Sequence, residues 1–130
     1  MKLTLPLPPT INTYWRSIIV GKGKKARAMP ILSREARAYQ AEMRLAVKAM
    51  SFDRIDGPCA LTAWFYRPRR AGDVDGRLKP LLDALQGFAY VNDSQLQEIH
   101  AYNGHDPLNP RVEVEVVACL PVQGVSTLAQ

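Results

Sequence analysis

Two stretches, Cys59-Ala60-Leu61-Thr62-Ala63-Trp64-Phe65-Tyr66 and Leu78-Lys79-Pro80-Leu81-Leu82-Asp83-Ala84-Leu85, decide the fold. The first is dense in apolar and aromatic side chains and follows the turn former Ile55-Asp56-Gly57-Pro58, the pattern of a largely buried strand. In the second, Leu78, Leu81, Leu82 and Leu85 recur at three- and four-residue steps, the spacing of one helical face. Gly87 stands just past its end, where helices commonly close. Pro80 removes a backbone hydrogen bond, so the first regular turn is expected nearer Leu78 than Asp75.

Outward from this centre the chain reads in alternating elements. Lys2 to Leu7 places Leu3, Leu5 and Leu7 on one side, a short first strand stopped by Pro8-Pro9. Thr10 to Pro30 reads as a polar loop carrying Tyr14-Trp15-Arg16 and the basic run Gly21-Lys22-Gly23-Lys24-Lys25-Ala26-Arg27, which no periodic pattern organises. Ser33 suits an N-cap for a helix to about Met50, with Ala36, Tyr39, Met43, Val47 and Met50 as its core stripe. Gln95 to Tyr102 and Arg111 to Leu120 both read as extended, the second alternating Val112, Val114 and Val116 with Arg111, Glu113 and Glu115. The Asn/Gly/Pro-rich loop between them would join them as a hairpin, and the tail after Pro121 is expected to fray. The order is β-α-β-α-β-β, an α/β (α+β) single domain over residues 1–130: a mixed β-sheet covered by two helices.

Composition agrees with that size. At 130 residues and 47% hydrophobic content, the chain closes a core without metal or disulfide staples. No apolar run approaches a membrane span and the N-terminus lacks a signal-peptide stretch, so a cytoplasmic protein without a membrane partner is expected. Cys59 and Cys119 sit in apolar segments and read as buried thiols. The net charge of +5 is unevenly spread: residues 2–79 hold 16 Lys/Arg against 6 Asp/Glu, and residues 80–130 hold 1 against 6. Clustered cations of this kind favour a polyanionic partner.

The chemistry concentrates in Asp73-Val74-Asp75-Gly76-Arg77-Leu78-Lys79-Pro80-Leu81-Leu82-Asp83. In an extended backbone, alternate residues project to one side about 6 to 7 Å apart, close enough for Asp73 and Asp75 to share hard cations. Such a pair serves as readily as a polar turn and helix cap, with Lys79 solvated. A third acid, Asp93, changes the balance, because a loop can return it to the first two, and converging carboxylates are the usual requirement of magnesium-dependent phosphodiester cleavage. His100 and His105 fall in no metal-ligand or triad spacing. Among the aromatics, Trp64 and Tyr66 read as packed, while Tyr14 and Trp15 inside the basic loop are candidates for stacking on bases.

On these residues the sequence resembles the RusA family of Holliday junction resolvases. The resemblance rests on Leu5 to Arg16, with Pro8-Pro9 followed by Asn12, Tyr14 and Arg16. It rests equally on Asp73 to Gln95, which follows a D-x-D-N-L-x-K-x-x-x-D-A-L then D-D-x-Q pattern. It implies a homodimer that nicks four-way junction DNA symmetrically with Mg²⁺, in recombination and repair. Asp73, Asp75 and Asp93 would occupy the metal-binding acid positions, and Lys79 that of the essential lysine. Asp83 matches the acid of D-A-L, a supporting or helix-capping position. Gly76 departs from the usual Asn, and Asn92 from a frequent first Asp, which removes one carboxylate.

The expected reaction is in-line hydrolysis leaving 5′-phosphate and 3′-hydroxyl ends, with Lys79 stabilising developing charge. DNA would be held by Arg16, Lys22, Lys24, Lys25, Arg27, Arg67, Arg69 and Arg70. A non-catalytic branched-DNA-binding protein, whose acids only cap a helix, and a general flap or branch nuclease are the competing readings.

Overall fold

The computed structural model describes residues 1–50, 53–70 and 75–124. The elements run β1 (Lys2–Leu5), α1 (Ile11–Tyr14), β2 (Trp15–Val20), β3 (Arg27–Leu32), α2 (Arg34–Lys48), β4 (Cys59–Arg67), α3 (Asp75–Leu85), β5 (Leu96–His105) and β6 (Arg111–Ala118). The expected β-α-β-α-β-β order is carried by β1, α2, β4, α3, β5 and β6, which build a mixed sheet and the two helices that supply its core.

The sheet is four-stranded in the order β1-β6-β4-β5, with β6 antiparallel to both β1 and β4, and β5 parallel to β4. Strand alternation decides which face is buried. Leu3 and Leu5, Cys59, Leu61, Ala63 and Phe65, and Val112, Val114 and Val116 all turn into the core. Tyr39 and Met43 of α2 and Leu81, Leu82 and Leu85 of α3 belong to the same buried cluster. The Ser33 side chain caps α2 by accepting the Ala36 N–H at 3.1 Å, as the sequence predicts.

Helix α3 has 11 residues and a proline inside it. Isolated helices shorter than about 12 to 15 residues are marginal in water, so its apolar face rather than its propensity holds it. That packing also corrects the expected boundary: α3 begins at Asp75 and carries Pro80 in its interior, its ring buried. Gly87 closes the helix as expected, at φ 85°.

Two other expectations change. The stretch read as an unorganised loop contains an antiparallel hairpin, β2 against β3, in register from Trp15↔Leu32 to Val20↔Arg27. Its strands are exposed for much of their length although largely apolar, so no polar-to-apolar alternation marks a core-facing side. The turn demands glycine: at Gly21, with φ 90°, a Cβ would sit 2.6 Å from the Lys25 carbonyl oxygen. Also, β5 and β6 do not pair as a hairpin, because β4 lies between them. Residues 106–110 pass over the end of β4, where the Asp106 N–H donates to the Arg67 carbonyl at 2.9 Å. Asp106 then clips the crossing by accepting from the Arg111 guanidinium at 2.9 Å and the Asn109 N–H at 3.2 Å. Beyond β6, the Val122 N–H donates to the Gln97 side chain at 3.0 Å, which ties the start of the tail to β5; the rest of the tail expected to fray, 125–130, lies outside the described residues.

Candidate active site

One face of α3 organises the site. Lys79 and Asp83 stand one turn apart on it, and Gln86, directly after the helix ends at Leu85, continues the spacing at i+7 from Lys79. Lys79 Nζ lies 2.9 Å from Asp83 Oδ1 and 3.5 Å from Asp93 Oδ2. The Asp83 hydrogen bond raises the Lys79 pKa; burial, next in size, opposes it, and the negative charges of both acids and the Asp93 hydrogen bond add to the rise. The ammonium is therefore a fixed positive charge between two carboxylates throughout the neutral range. Its side chain is still 54% exposed, open to an incoming anion.

Asp93 is delivered by a short 3-10 turn, Asp93–Gln95, closed by a capping box between Asn92 and Gln95. The Gln95 amide uses both ends. Its Oε1 accepts the N–H groups of Val91 at 2.8 Å and Asn92 at 2.9 Å, and its Nε2 donates to the carbonyls of Ile55 at 2.9 Å and Gly57 at 2.8 Å. Gln86 Oε1 accepts the Asp93 N–H at 2.9 Å. The departure from the family pattern at Asn92 thus has a local use, since its side chain accepts the Ser94 N–H.

The first loop is docked beside this stripe. Arg77 of α3 donates to the Pro8 carbonyl, and the Tyr39 hydroxyl donates to the Pro6 carbonyl at 3.0 Å. Tyr14 is 1% exposed and accepts from Gln40 at 3.0 Å, so it is a core residue and no stacking platform, contrary to expectation. Burial raises its hydroxyl pKa against the Gln40 hydrogen bond, and the charges of Asp83 and Lys79 act on it in opposite directions. Trp15 remains 45% exposed at the foot of the hairpin, edge-on to Tyr14.

Of the residues singled out in the sequence, Lys79, Asp83 and Asp93 come together. Asp73 lies outside the described residues, and Asp75 enters as the first backbone residue of α3, one turn before Lys79. No group of three metal-ligating side chains occurs among the described residues. Those gathered on Lys79 present carboxylate oxygen, the donor class of hard divalent cations, and the ammonium already holds a cation's charge there. The chemistry of the acids present suits a hard divalent cation.

Among the cations expected at DNA, Arg16, Lys22, Lys24, Lys25 and Arg27 are exposed along the hairpin, and Arg69 and Arg70 are exposed beyond β4. Arg67 differs: it is 8% exposed and donates to the Gly104 carbonyl at 3.3 Å, bracing the end of β5 from within. Sequence reasoning passed over Gln86 and Arg77. Gln86 was within reach of it, because the i, i+4, i+7 spacing from Lys79 is visible in the sequence once α3 is granted.

A protein-family model described as endodeoxyribonuclease RusA matches residues 6–117, which spans the first loop, the hairpin, both helices and the sheet strands β4 to β6. No curated protein matches the chain.

Proposed function

This chain belongs to the endodeoxyribonuclease RusA family, and on that premise we propose that it resolves four-way DNA junctions as a Mg²⁺-dependent homodimer, with paired nicks on opposed strands. The observation that carries the reading is the meeting of Lys79 with Asp83 and Asp93, acids from two separate segments, on the helix that begins at Asp75.

Asp73, Asp75 and Asp93 are the proposed cation ligands. A divalent cation bound there supplies Lewis-acid polarisation of the phosphate and activation of water. The chain's own residues do the rest. Converging carboxylates repel the DNA backbone, so the exposed cations of the hairpin, Arg16, Lys22, Lys24, Lys25 and Arg27, offset that repulsion and draw the duplex arms in. Lys79 stands ready to leave its carboxylate partners for the phosphate, where charge grows in the transition state. Asp83, 2.9 Å from Lys79, keeps the ammonium protonated and aimed. A junction has approximate two-fold symmetry, and a two-fold dimer sets one such site on each of two opposed strands.

The test is cleavage of a synthetic four-way junction with and without Mg²⁺, beside a gel shift in EDTA. The expected result is binding in EDTA and, in Mg²⁺, symmetric cuts leaving 5′-phosphate ends. Binding without cuts in Mg²⁺ would make the protein a branched-DNA binder. Unpaired cuts would make it a general branch nuclease.

A further inference from the structure

Asp93 is gripped at two atoms, by a residue of α3 and by the residue that directly follows it. Lys79 Nζ meets its carboxylate at 3.5 Å, and seven residues further on, just past the end of α3, Gln86 Oε1 accepts its backbone N–H at 2.9 Å. Gln95 fixes the residues before it, by holding the N–H groups of Val91 and Asn92 while donating to Ile55 and Gly57. The two glutamines divide the work. Gln95 ties the turn to the segment before β4, a general brace. Gln86 ties the single residue Asp93 to the helix bearing Lys79 and Asp83, and so sets where the carboxylate stands relative to the other charged groups.

We infer that Gln86 is a positioning residue for the cation site, acting through the backbone of Asp93. The inference rests on the metal reading proposed above. The physical argument is one of preorganisation. When a divalent cation takes up the Asp93 carboxylate, it repels the ammonium and draws on the same negative charge, so the Lys79 contact at 3.5 Å to Oδ2 weakens. The side-chain grip on Asp93 then gives way at the moment its placement matters. The Gln86 hydrogen bond falls on the main chain, does not compete with the metal, and persists. Groups that hold a metal ligand from behind typically change metal affinity about 10- to 100-fold.

The experiment is calorimetric titration of the full-length protein, free of DNA, with Mn²⁺ as the probe cation, for wild type, Gln86→Met and Gln86→Glu. Methionine keeps the length and loses the amide acceptor, whereas glutamate keeps an acceptor oxygen at the same reach. The expected result is affinity for Mn²⁺ about tenfold weaker in Gln86→Met and near wild type in Gln86→Glu. Melting of all three in EDTA should agree within a few degrees, about what one side-chain hydrogen bond moves. If Gln86→Met fails to fold, Gln86→Ala makes the same comparison. Unchanged affinity in the variant lacking the acceptor, or equal loss in the Met and Glu variants, overturns the inference alone. A wild-type protein that takes no Mn²⁺ overturns the metal reading and the inference with it.

Discussion

Lys79 and Asp93, fourteen residues apart in sequence, meet at 3.5 Å across the gap between α3 and the turn that follows it. A surface ion pair of that length contributes little to stability, commonly less than about 1 kcal/mol. Its value is in placement: a mobile ammonium is held over acids that a phosphate must approach. Replacing Lys79 with Ala should therefore leave the melting temperature nearly unchanged and cut turnover about a hundredfold or more. Junction affinity in EDTA should change little. Single-turnover cleavage beside a gel shift separates the two, and a parallel fall in both would make Lys79 a phosphate anchor.

Asp75→Asn should abolish Mg²⁺-dependent cleavage while junction binding in EDTA stays equal or tightens. Position 75 is the first helical residue of α3 and not its cap, so Asn forfeits only the attraction of a carboxylate to the helix N-terminus, about 0.3 to 1 kcal/mol. The amide removes a negative charge that a hard cation needs and that DNA phosphate resists. A thermal melt, a gel shift in EDTA and a cleavage assay in Mg²⁺ check the three parts. A folded variant that cuts at the wild-type rate would remove Asp75 from the site.

Replacing Lys22, Lys24, Lys25 and Arg27 together with Ala should weaken junction binding and flatten its salt dependence. Each cation withdrawn from a phosphate lowers the slope of log affinity against log salt by about 0.9 on duplex DNA, so withdrawing four would lower it by about 3 to 4. The hairpin pairs only with itself, in a two-stranded sheet apart from the four-stranded one, so melting should not change. An unchanged slope would show that DNA lies elsewhere.

The crossing over β4 should weaken in acid. Asp106 is held below its ordinary pKa chiefly by the Arg111 hydrogen bond; desolvation opposes it, and the Asn109 N–H and the Arg111 charge add to the lowering. A depressed carboxyl adds stability above its unfolded pKa and loses it as pH falls through the folded value. The loss thus belongs to the acid side of the ordinary aspartate range and leaves neutral pH untouched. Carboxyl titration by NMR should find Asp106 low in the wild type and moved back up in Arg111→Gln. An Asp106 that titrates normally in the wild type would remove the clip.

The sequence by itself determined the mixed sheet and two helices, the capping of α2 by Ser33, the close of α3 at Gly87 and the family. Each is written in local spacing: period two in Arg111–Ala118, steps of three and four in Leu78, Leu81, Leu82 and Leu85, one hydroxyl before a helix, one glycine after another. Tertiary structure decided what local spacing does not encode. It placed β4 between β5 and β6, because the strand buried on alternate residues from Cys59 to Arg67 takes partners on both edges. It buried Tyr14 and the charged Arg67 by closing α1 on α3 and the end of β5 on β4. It folded Trp15–Leu32 into a hairpin whose two exposed strands carry no core-facing stripe to announce them. It also brought Asp93 onto the Lys79, Asp83 and Gln86 face, since a turn's direction depends on hydrogen bonds to Ile55 and Gly57, residues far away along the chain, and no pattern within the turn specifies where those will be.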